Sequence, residues 1–170
     1  TTAVDSDETG ATSGVVTLTG PVTLAGNTTI DTDSTSNNGA VTFSSTVDGA
    51  KTLTITSGSG AVQFGGNIGA TTALSDVTVN SSAGTGTITF SGNVGADATT
   101  VGAAVVTVGN SDTASITFAG VEFTTSGAQT FTADAYSITG ADSTFGSSND
   151  NITFTDGGAD GGITLADIAD

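Results

Sequence analysis

Apolar and polar residues alternate in short runs along the whole chain. The pattern apolar–polar–apolar, usually closed by Phe, recurs at third positions that are 25, 21, 26, 28 and 36 residues apart. The segments are Val16-Thr17-Leu18, Val41-Thr42-Phe43, Val62-Gln63-Phe64, Ile88-Thr89-Phe90, Ile116-Thr117-Phe118 and Ile152-Thr153-Phe154. Residues i and i+2 of a strand face the same side, so each segment predicts a short strand with two inward apolar side chains.

Each of these strands is followed by a second apolar position, and a third strand closes most units. The second positions are Val22 and Leu24, Val47, Ile68, Val94, and Val121 and Phe123. The third strands are Leu53-Thr54-Ile55, Val77-Thr78-Val79, Val106-Thr107-Val108, Tyr136-Ser137-Ile138 and Ile163-Thr164-Leu165. Turn residues separate the runs, and no helical period is present. A repeated order of short strands at this spacing is typical of solenoids.

The sequence therefore predicts an all-β protein, a β-solenoid (β-helix) of about six degenerate coils over residues 14–170. Residues 1–13 are predicted to form an N-terminal extended arm. Coils stacked at about 4.8 Å would give a rod of about 30 Å. An internal aromatic ladder is expected from Phe43, Phe64, Phe90, Phe118 and Phe154, with the variation in coil length taken up in a loop over Gly140–Asn149. The alternative is an antiparallel β-sandwich of the same strands, because alternation shows only that one strand face is buried.

The amino-acid composition limits which partners the chain is expected to bind. The net charge is −16, with one Lys or Arg against 17 acidic residues. Nucleic acids and anionic membranes need basic residues, so neither is an expected partner. A charged fraction of only 11% and a mean hydropathy of +0.17 favour a folded chain over a disordered one. No apolar run is long enough for a transmembrane helix.

Catalysis is not expected from this residue set. The chain has no His, Cys or Trp, and Lys51 is its only basic side chain. Ser and Thr nucleophiles would therefore lack an activating base, and paired carboxylates would lack the groups that hold a sugar. The chain also contains no Met, so we interpret it as a processed product or a fragment. A mature secreted chain, extracellular or at the cell surface, is the expectation.

Acidic residues in polar loops suggest calcium, the only cofactor considered. The candidate ligands are Asp31, Asp33, Asp156 and Asp160. Calcium takes six to eight oxygens from flexible carboxylates and carbonyls, which such loops can provide. Neither an EF-hand loop nor the nonapeptide pattern of calcium β-rolls is present. The alternative is that these carboxylates are solvated and keep a secreted rod dispersed.

Several units resemble the repeats of very large bacterial surface proteins. They are Gly39–Phe43, Gly60–Gly69, Gly86–Gly95 and Gly127–Ala133. These segments are similar to filamentous-haemagglutinin-like and autotransporter-like β-strand-repeat proteins, and the resemblance covers most of residues 14–170. It implies right-handed β-helices that serve in adhesion, matrix or secretion. This chain is short beside such proteins, which favours a self-assembling subunit over a long stalk.

Three functional hypotheses follow. The first is a structural subunit that joins head to tail with copies of itself into a surface fibre or matrix, using the strand-like Ile163, Leu165 and Ile168. The second is an adhesin fragment that binds a glycan or host surface. The third is ice binding by outward threonines such as those of Thr52–Thr56. Unequal coil lengths argue against the regular lattice that ice binding needs.

Overall fold

The computed structural model describes residues 2–6, 13–97, 99–139, 143–148 and 150–158, and the backbone of 162–165. All regular secondary structure in these residues is β-strand, and none of it is a helix that could cross a membrane. The strands are β1 (Thr2–Asp5), β2 (Val16–Leu18), β3 (Val22–Thr23), β4 (Thr28–Asp31), β5 (Val41–Phe43), β6 (Val47–Asp48), β7 (Leu53–Thr56), β8 (Val62–Phe64), β9 (Leu74–Val79), β10 (Thr87–Phe90), β11 (Ala103–Gly109), β12 (Ser115–Ala119), β13 (Glu122–Thr125), β14 (Gln129–Ala133), β15 (Ala135–Thr139), β16 (Thr144–Ser147), β17 (Ile152–Asp156) and β18 (Gly162–Leu165).

The strands wind into a solenoid with three faces. The first face stacks β2, β5, β8, β10, β12, β15 and β18, and the third stacks β1, β4, β7, β9, β11, β14 and β17. The second face is narrower and contains β3, β6, β13 and β16, joined through single bridges at Ile68 and Val94. Each turn of the chain visits the three faces in this order. The described strands form six turns, which confirms the predicted β-solenoid.

All of the described strand pairs are parallel. Neighbouring strands of the first face lie 20 to 28 residues apart, measured between the paired positions Leu18, Phe43, Phe64, Phe90, Phe118, Ile138 and Leu165. Parallel strands need a long connection, and the other two faces of each turn provide it. Because the described strands pair in parallel, the antiparallel β-sandwich alternative is wrong.

The last two turns are arranged differently from the prediction. Strand β17, with Phe154, lies on the third face beside β14, whereas the sequence pattern assigned it to the Phe-bearing first face. Strands β15 and β18, predicted on the third face, lie on the first. The predicted loop over Gly140–Asn149 includes β16, which pairs with β13 on the second face. The interval of 36 residues from Phe118 to Phe154 therefore runs from the first face of one turn to the third face of the next. On the first face the turns from Phe118 to Ile138 and from Ile138 to Leu165 have 20 and 27 residues.

The predicted N-terminal arm contributes a strand to the stack. Within residues 1–13, β1 pairs in parallel with β4, Thr2 opposite Thr28 and Asp5 opposite Asp31. The backbone N–H of Ser13 donates to the carbonyl of Asn37 at 2.8 Å. The described residues of this segment thus extend the third face below the first complete turn, while the domain boundary at residue 14 stays a prediction.

The core is a column of inward-facing side chains enclosed by the three faces. Phe43, Phe64, Phe90 and Phe118 stack with ring centroids 5.3, 5.0 and 5.7 Å apart and interplanar angles of 7–8°. Each of these four side chains is at most 1% exposed. Leu18 lies in register below this stack and Ile138 above it. The aromatic ladder is therefore confirmed for its first four members.

Phe154 belongs to a different aromatic contact. Its ring stacks on that of Phe131 at 4.9 Å and meets Phe118 at 77° and 6.1 Å. This follows from the pairing of β14 with β17, which places Phe131 and Phe154 in register on the third face. The upper core is thus a cluster of five rings whose contacts are mostly edge-to-face: Phe118, Phe123, Phe131, Phe145 and Phe154. Edge-to-face contact is one of the two arrangements that aromatic rings prefer, the other being offset stacking.

Glycine is required at the corner that leads into the first face. Gly39, Gly60 and Gly86 each lie two residues before the first core residue of a strand. A Cβ atom on Gly60 would overlap the carbonyl of Gly39, and one on Gly86 would overlap the carbonyl of Gly60. Successive backbones can approach this closely only without a side chain. This column of glycines lets the corners stack at the same spacing as the strands.

Candidate functional site

The apolar core of the solenoid is least completely covered at its two ends. The partly buried apolar residues that pack against the core all lie in the first or sixth turn of the described chain. They are Val16, Leu18 and Val22 at one end, and Ile138, Phe145, Ile152 and Phe154 at the other. Each middle turn has a complete described turn on both sides, whereas each end turn has a complete described turn on one side. The ends are therefore the surfaces on which further apolar burial is available.

A cleft of about 290 Å³ opens at the N-terminal end. Its walls include Val4, Leu18, Val22 and Leu24, and its floor reaches Phe43 of the second turn. Val4 is 39% exposed, whereas its register neighbour Ile30 is 1% exposed. The cleft is thus the lower end of the core, and β1 is the one described strand below the first turn.

The end strands also have edges that no described strand pairs. On the N-terminal side these are the lower edges of β1, β2 and β3, and on the C-terminal side the upper edges of β16, β17 and β18. Their N–H and C=O groups can accept a further strand in the same parallel register. Ile163 and Leu165, predicted as assembly residues, lie on β18 opposite Tyr136 and Ile138. Ile168 lies outside the described residues.

The structure places the candidate calcium ligands in two separate loops. Asp31 ends β4, and its Oδ1 accepts the backbone N–H of Asp33 at 3.0 Å. Asp156 ends β17, and its Oδ1 accepts the N–H of Gly158 at 3.0 Å. Both carboxylates thus cap their own turns. Asp160 lies outside the described part.

No group of three or more His, Cys, Asp or Glu side chains within reach of one metal ion occurs in the described residues. A calcium ion bound at Asp31 and Asp33 would need carbonyl and water oxygens to complete its six to eight ligands. Calcium binding at these positions therefore stays a prediction.

Hydrogen bonds within a loop lower the pKa of the exposed carboxylate of Asp97. The Oδ1 atom of Asp97 accepts hydrogen bonds from the hydroxyl of Thr99 at 2.7 Å and from its N–H at 2.8 Å. The N–H and hydroxyl of Thr100 add bonds of 2.9 and 3.1 Å. Together these hydrogen bonds lower the pKa of Asp97 from its usual value of 3.8, and the bond from the Thr99 hydroxyl has the largest effect. The donors all belong to the loop itself, so this carboxylate orders a turn.

A ladder of threonines follows the outside of the third face. Strand register places six threonines directly above one another. They are Thr29, Thr54, Thr78, Thr107, Thr130 and Thr153. Their neighbours Ile30 and Ile55 are buried, so the threonines occupy the outward positions. The first face has a similar column that Gln63 and Ser137 interrupt. Sequence spacing missed this regularity, because extra residues in long turns lie at corners and leave the register unchanged.

Comparisons with protein-family models, with curated proteins and with solved structures found no match to this chain.

Proposed function

We propose that the chain is an extracellular structural element, a β-solenoid subunit that assembles end to end into a surface fibre or matrix. The observation that carries this proposal is that each end of the rod combines strand edges that no described strand pairs with half-buried apolar side chains. Backbone edges supply direction and register for a further strand. Burial of the apolar side chains supplies the free energy.

The charge of the chain supports growth along the axis. The net charge of −16 makes the rods repel one another side by side. At the ends, the cleft between Val4 and Leu18 is mostly apolar and opposes association less. Identical contacts repeated from one end to the other give an open filament, because a heterologous contact along a rod axis does not close.

Negative-stain electron microscopy of the purified chain, with calcium and with a chelator, tests the proposal. We expect filaments of uniform width whose length grows with protein concentration. Isolated short rods at high concentration under both conditions would contradict it. They would favour the adhesin fragment instead, and a glycan array would then be the next measurement.

A pair of matched variants sharpens this experiment. Val4→Asn places an amide in the apolar cleft, whereas Val105→Asn places the same amide on the side of the rod, where Val105 is 37% exposed. Burying an amide without a partner costs about 1–3 kcal/mol. We expect Val4→Asn to raise the concentration needed for assembly roughly 5- to 150-fold and Val105→Asn to leave it unchanged. Equal effects of the two variants would show that the cleft is not the joint.

The threonine ladder favours ice binding as a second candidate function. Six threonines on a face repeat at the strand spacing of about 4.8 Å. Their hydroxyl and methyl groups form a regular column, which unequal turn lengths do not disturb. The outward column beside it holds Thr56, Thr132 and Thr155 but also Asp31 and Gly109, so the array is only one complete column wide. This narrowness places ice binding second.

Inhibition of ice recrystallisation tests this alternative. Thr78→Lys interrupts the complete column, and Thr89→Lys interrupts the already broken column of the first face. Ice binding by the third face requires that the wild type inhibit recrystallisation, that Thr78→Lys lose this activity and that Thr89→Lys keep it. A wild-type chain without inhibition at any concentration would eliminate the hypothesis.

A further inference from the structure

The incomplete turns at the two ends of the rod are complementary. Below the first complete turn, β1 occupies the third face, and no described strand lies below β2 on the first face. Above the sixth turn, β18 occupies the first face, and no described strand lies above β17 on the third. Each end thus offers a strand on the face where the other end lacks one.

We propose, building on the end-to-end assembly above, that two copies join through a shared turn to which each contributes a strand. On the first face, β18 of one copy pairs with β2 of the next. On the third face, β1 of the next copy pairs with β17 of the first. The partner is therefore a second copy of this chain, held in one rotational setting by strand register.

Continuing the observed register fixes which residues meet. On the third face, Val4 pairs with Ile30 and Phe131 pairs with Phe154, as members of the same inward column. The shared turn places Val4 of one copy on Phe154 of the other, and Ala3 on Thr153. On the first face the same rule places Leu18 opposite Leu165. On the third face, an apolar residue of one copy thus meets an apolar residue of the other in the core of the joint.

The shared turn also avoids placing like charges opposite each other. In the continued register, Asp5 at the end of β1 lies opposite Thr155 of β17. The strand residues 2–5 and 152–155 therefore contain no carboxylate pair. Directly opposed like charges destabilise paired strands, so this register is electrostatically permitted in spite of the high net charge.

Engineered cysteines test the shared turn directly, because the chain has no cysteine of its own. Ala3→Cys and Thr153→Cys change two exposed residues that the shared turn brings opposite each other. Within one copy they lie six strand spacings apart, about 29 Å, so no disulfide can form inside a chain. A disulfide between them therefore reports contact between two copies.

Single variants are mixed under mild oxidation and analysed on non-reducing gels. We expect Ala3→Cys with Thr153→Cys to give about tenfold or more covalent dimer than Ala3→Cys with Thr78→Cys, because positioned thiols react at a high effective concentration. Thr78 is the matched control in the middle of the same column. A second pair, Thr17→Cys with Thr164→Cys, tests the first face independently.

The outcomes separate the joint from the proposed function. Filaments that form without a disulfide in either pair would overturn the shared turn and leave end-to-end assembly standing. Equal cross-linking to Thr78→Cys would indicate lateral contact and also overturn it. Isolated rods in electron microscopy, with no covalent dimer, would overturn both proposals.

Discussion

Single residues contribute to stability according to their place in the stack. Phe64 has a ring on each side, Phe43 at 5.3 Å and Phe90 at 5.0 Å. Phe154 has Phe131 on one side and is partly buried at the end of the rod. The same residue type therefore has different packing at the centre and at the end of one core.

Truncation of these two rings should show the difference. We expect Phe64→Ala to lower the free energy of unfolding by about 3–5 kcal/mol and Phe154→Ala to lower it by about 1–2 kcal/mol, because the cavity left at the end is open to solvent. Chemical denaturation followed by circular dichroism measures both. Equal losses would contradict the assignment of Phe154 to the end of a separate column.

Tyr136 is the residue whose titration reports on the upper core. Its hydroxyl lies 2.6 Å from the carbonyl oxygen of Thr155 and 2.8 Å from that of Phe131, and its side chain is 2% exposed. The pKa of this phenol is raised from its usual value of 10.0, and burial is the largest cause. The neutral phenol is therefore the form that the folded state prefers.

This preference predicts alkaline sensitivity. Because the folded pKa is raised, the stabilisation from Tyr136 is complete below pH 10 and is lost as the pH rises through the folded pKa. The chain has one Tyr and no Trp, so tyrosinate absorbance follows this group alone. We expect ionisation at a higher pH in the folded chain than in denaturant. Tyr136→Phe should abolish this contribution; an unchanged alkaline loss in that variant would assign it elsewhere.

At the scale of structural elements, the corners between the faces decide whether successive turns can stack. Gly60 lies against the carbonyl of Gly39 in the corner before β8, and Gly86 lies against Gly60 in the next turn. Gly20, by contrast, has open space where a Cβ would be. Glycine is thus needed at one corner and tolerated at another.

Alanine substitution distinguishes these two positions. We expect Gly60→Ala to lower the free energy of unfolding by about 1–3 kcal/mol, because the backbone of β8 must move away from β5. Gly20→Ala should change it by less than about 0.5 kcal/mol. Thermal unfolding of both variants provides the measurement. Equal behaviour would mean that the close approach of the corners does not limit stacking.

Charge acts on the whole molecule. Seventeen acidic residues against one basic residue give every rod the same strong sign, so joining two rods brings like charges together. Salt shortens the range of this repulsion, from about 30 Å at 0.01 M to about 8 Å at 0.15 M. The proposed assembly should therefore depend on ionic strength, even though the side chains that pack against the core at both ends are apolar.

Filament formation should therefore increase with salt. We expect the concentration needed for assembly to fall between about 0.01 and 0.15 M NaCl. CaCl₂ and MgCl₂ at equal ionic strength separate screening from binding. A larger effect of calcium, lost in an Asp31→Asn, Asp33→Asn variant, would support the predicted calcium site. Equal effects of the two salts would identify these carboxylates as solvated loop acids, and light scattering provides the measurement.

Much of the fold can be predicted from the order of residues. Alternation identified the inward side chains of the first four turns, such as Phe43 and Val77, and the absence of a helical period excluded helices. The assignment of faces failed after Phe118, because β14 and β17 carry Phe as the first face does. Alternation is a local signal, and it distinguishes inside from outside without distinguishing one buried face from another.

The sequence by itself thus determined an acidic all-β chain with a repeated strand order and an aromatic core. Only the tertiary structure decided which strands share a face, that six threonines from Thr29 to Thr153 lie in one column, and that the end turns are complementary. The physical reason is that register is set by backbone pairing between residues 20 to 29 positions apart. Corners absorb the differences in length, so spacing in the sequence does not report spacing on the surface.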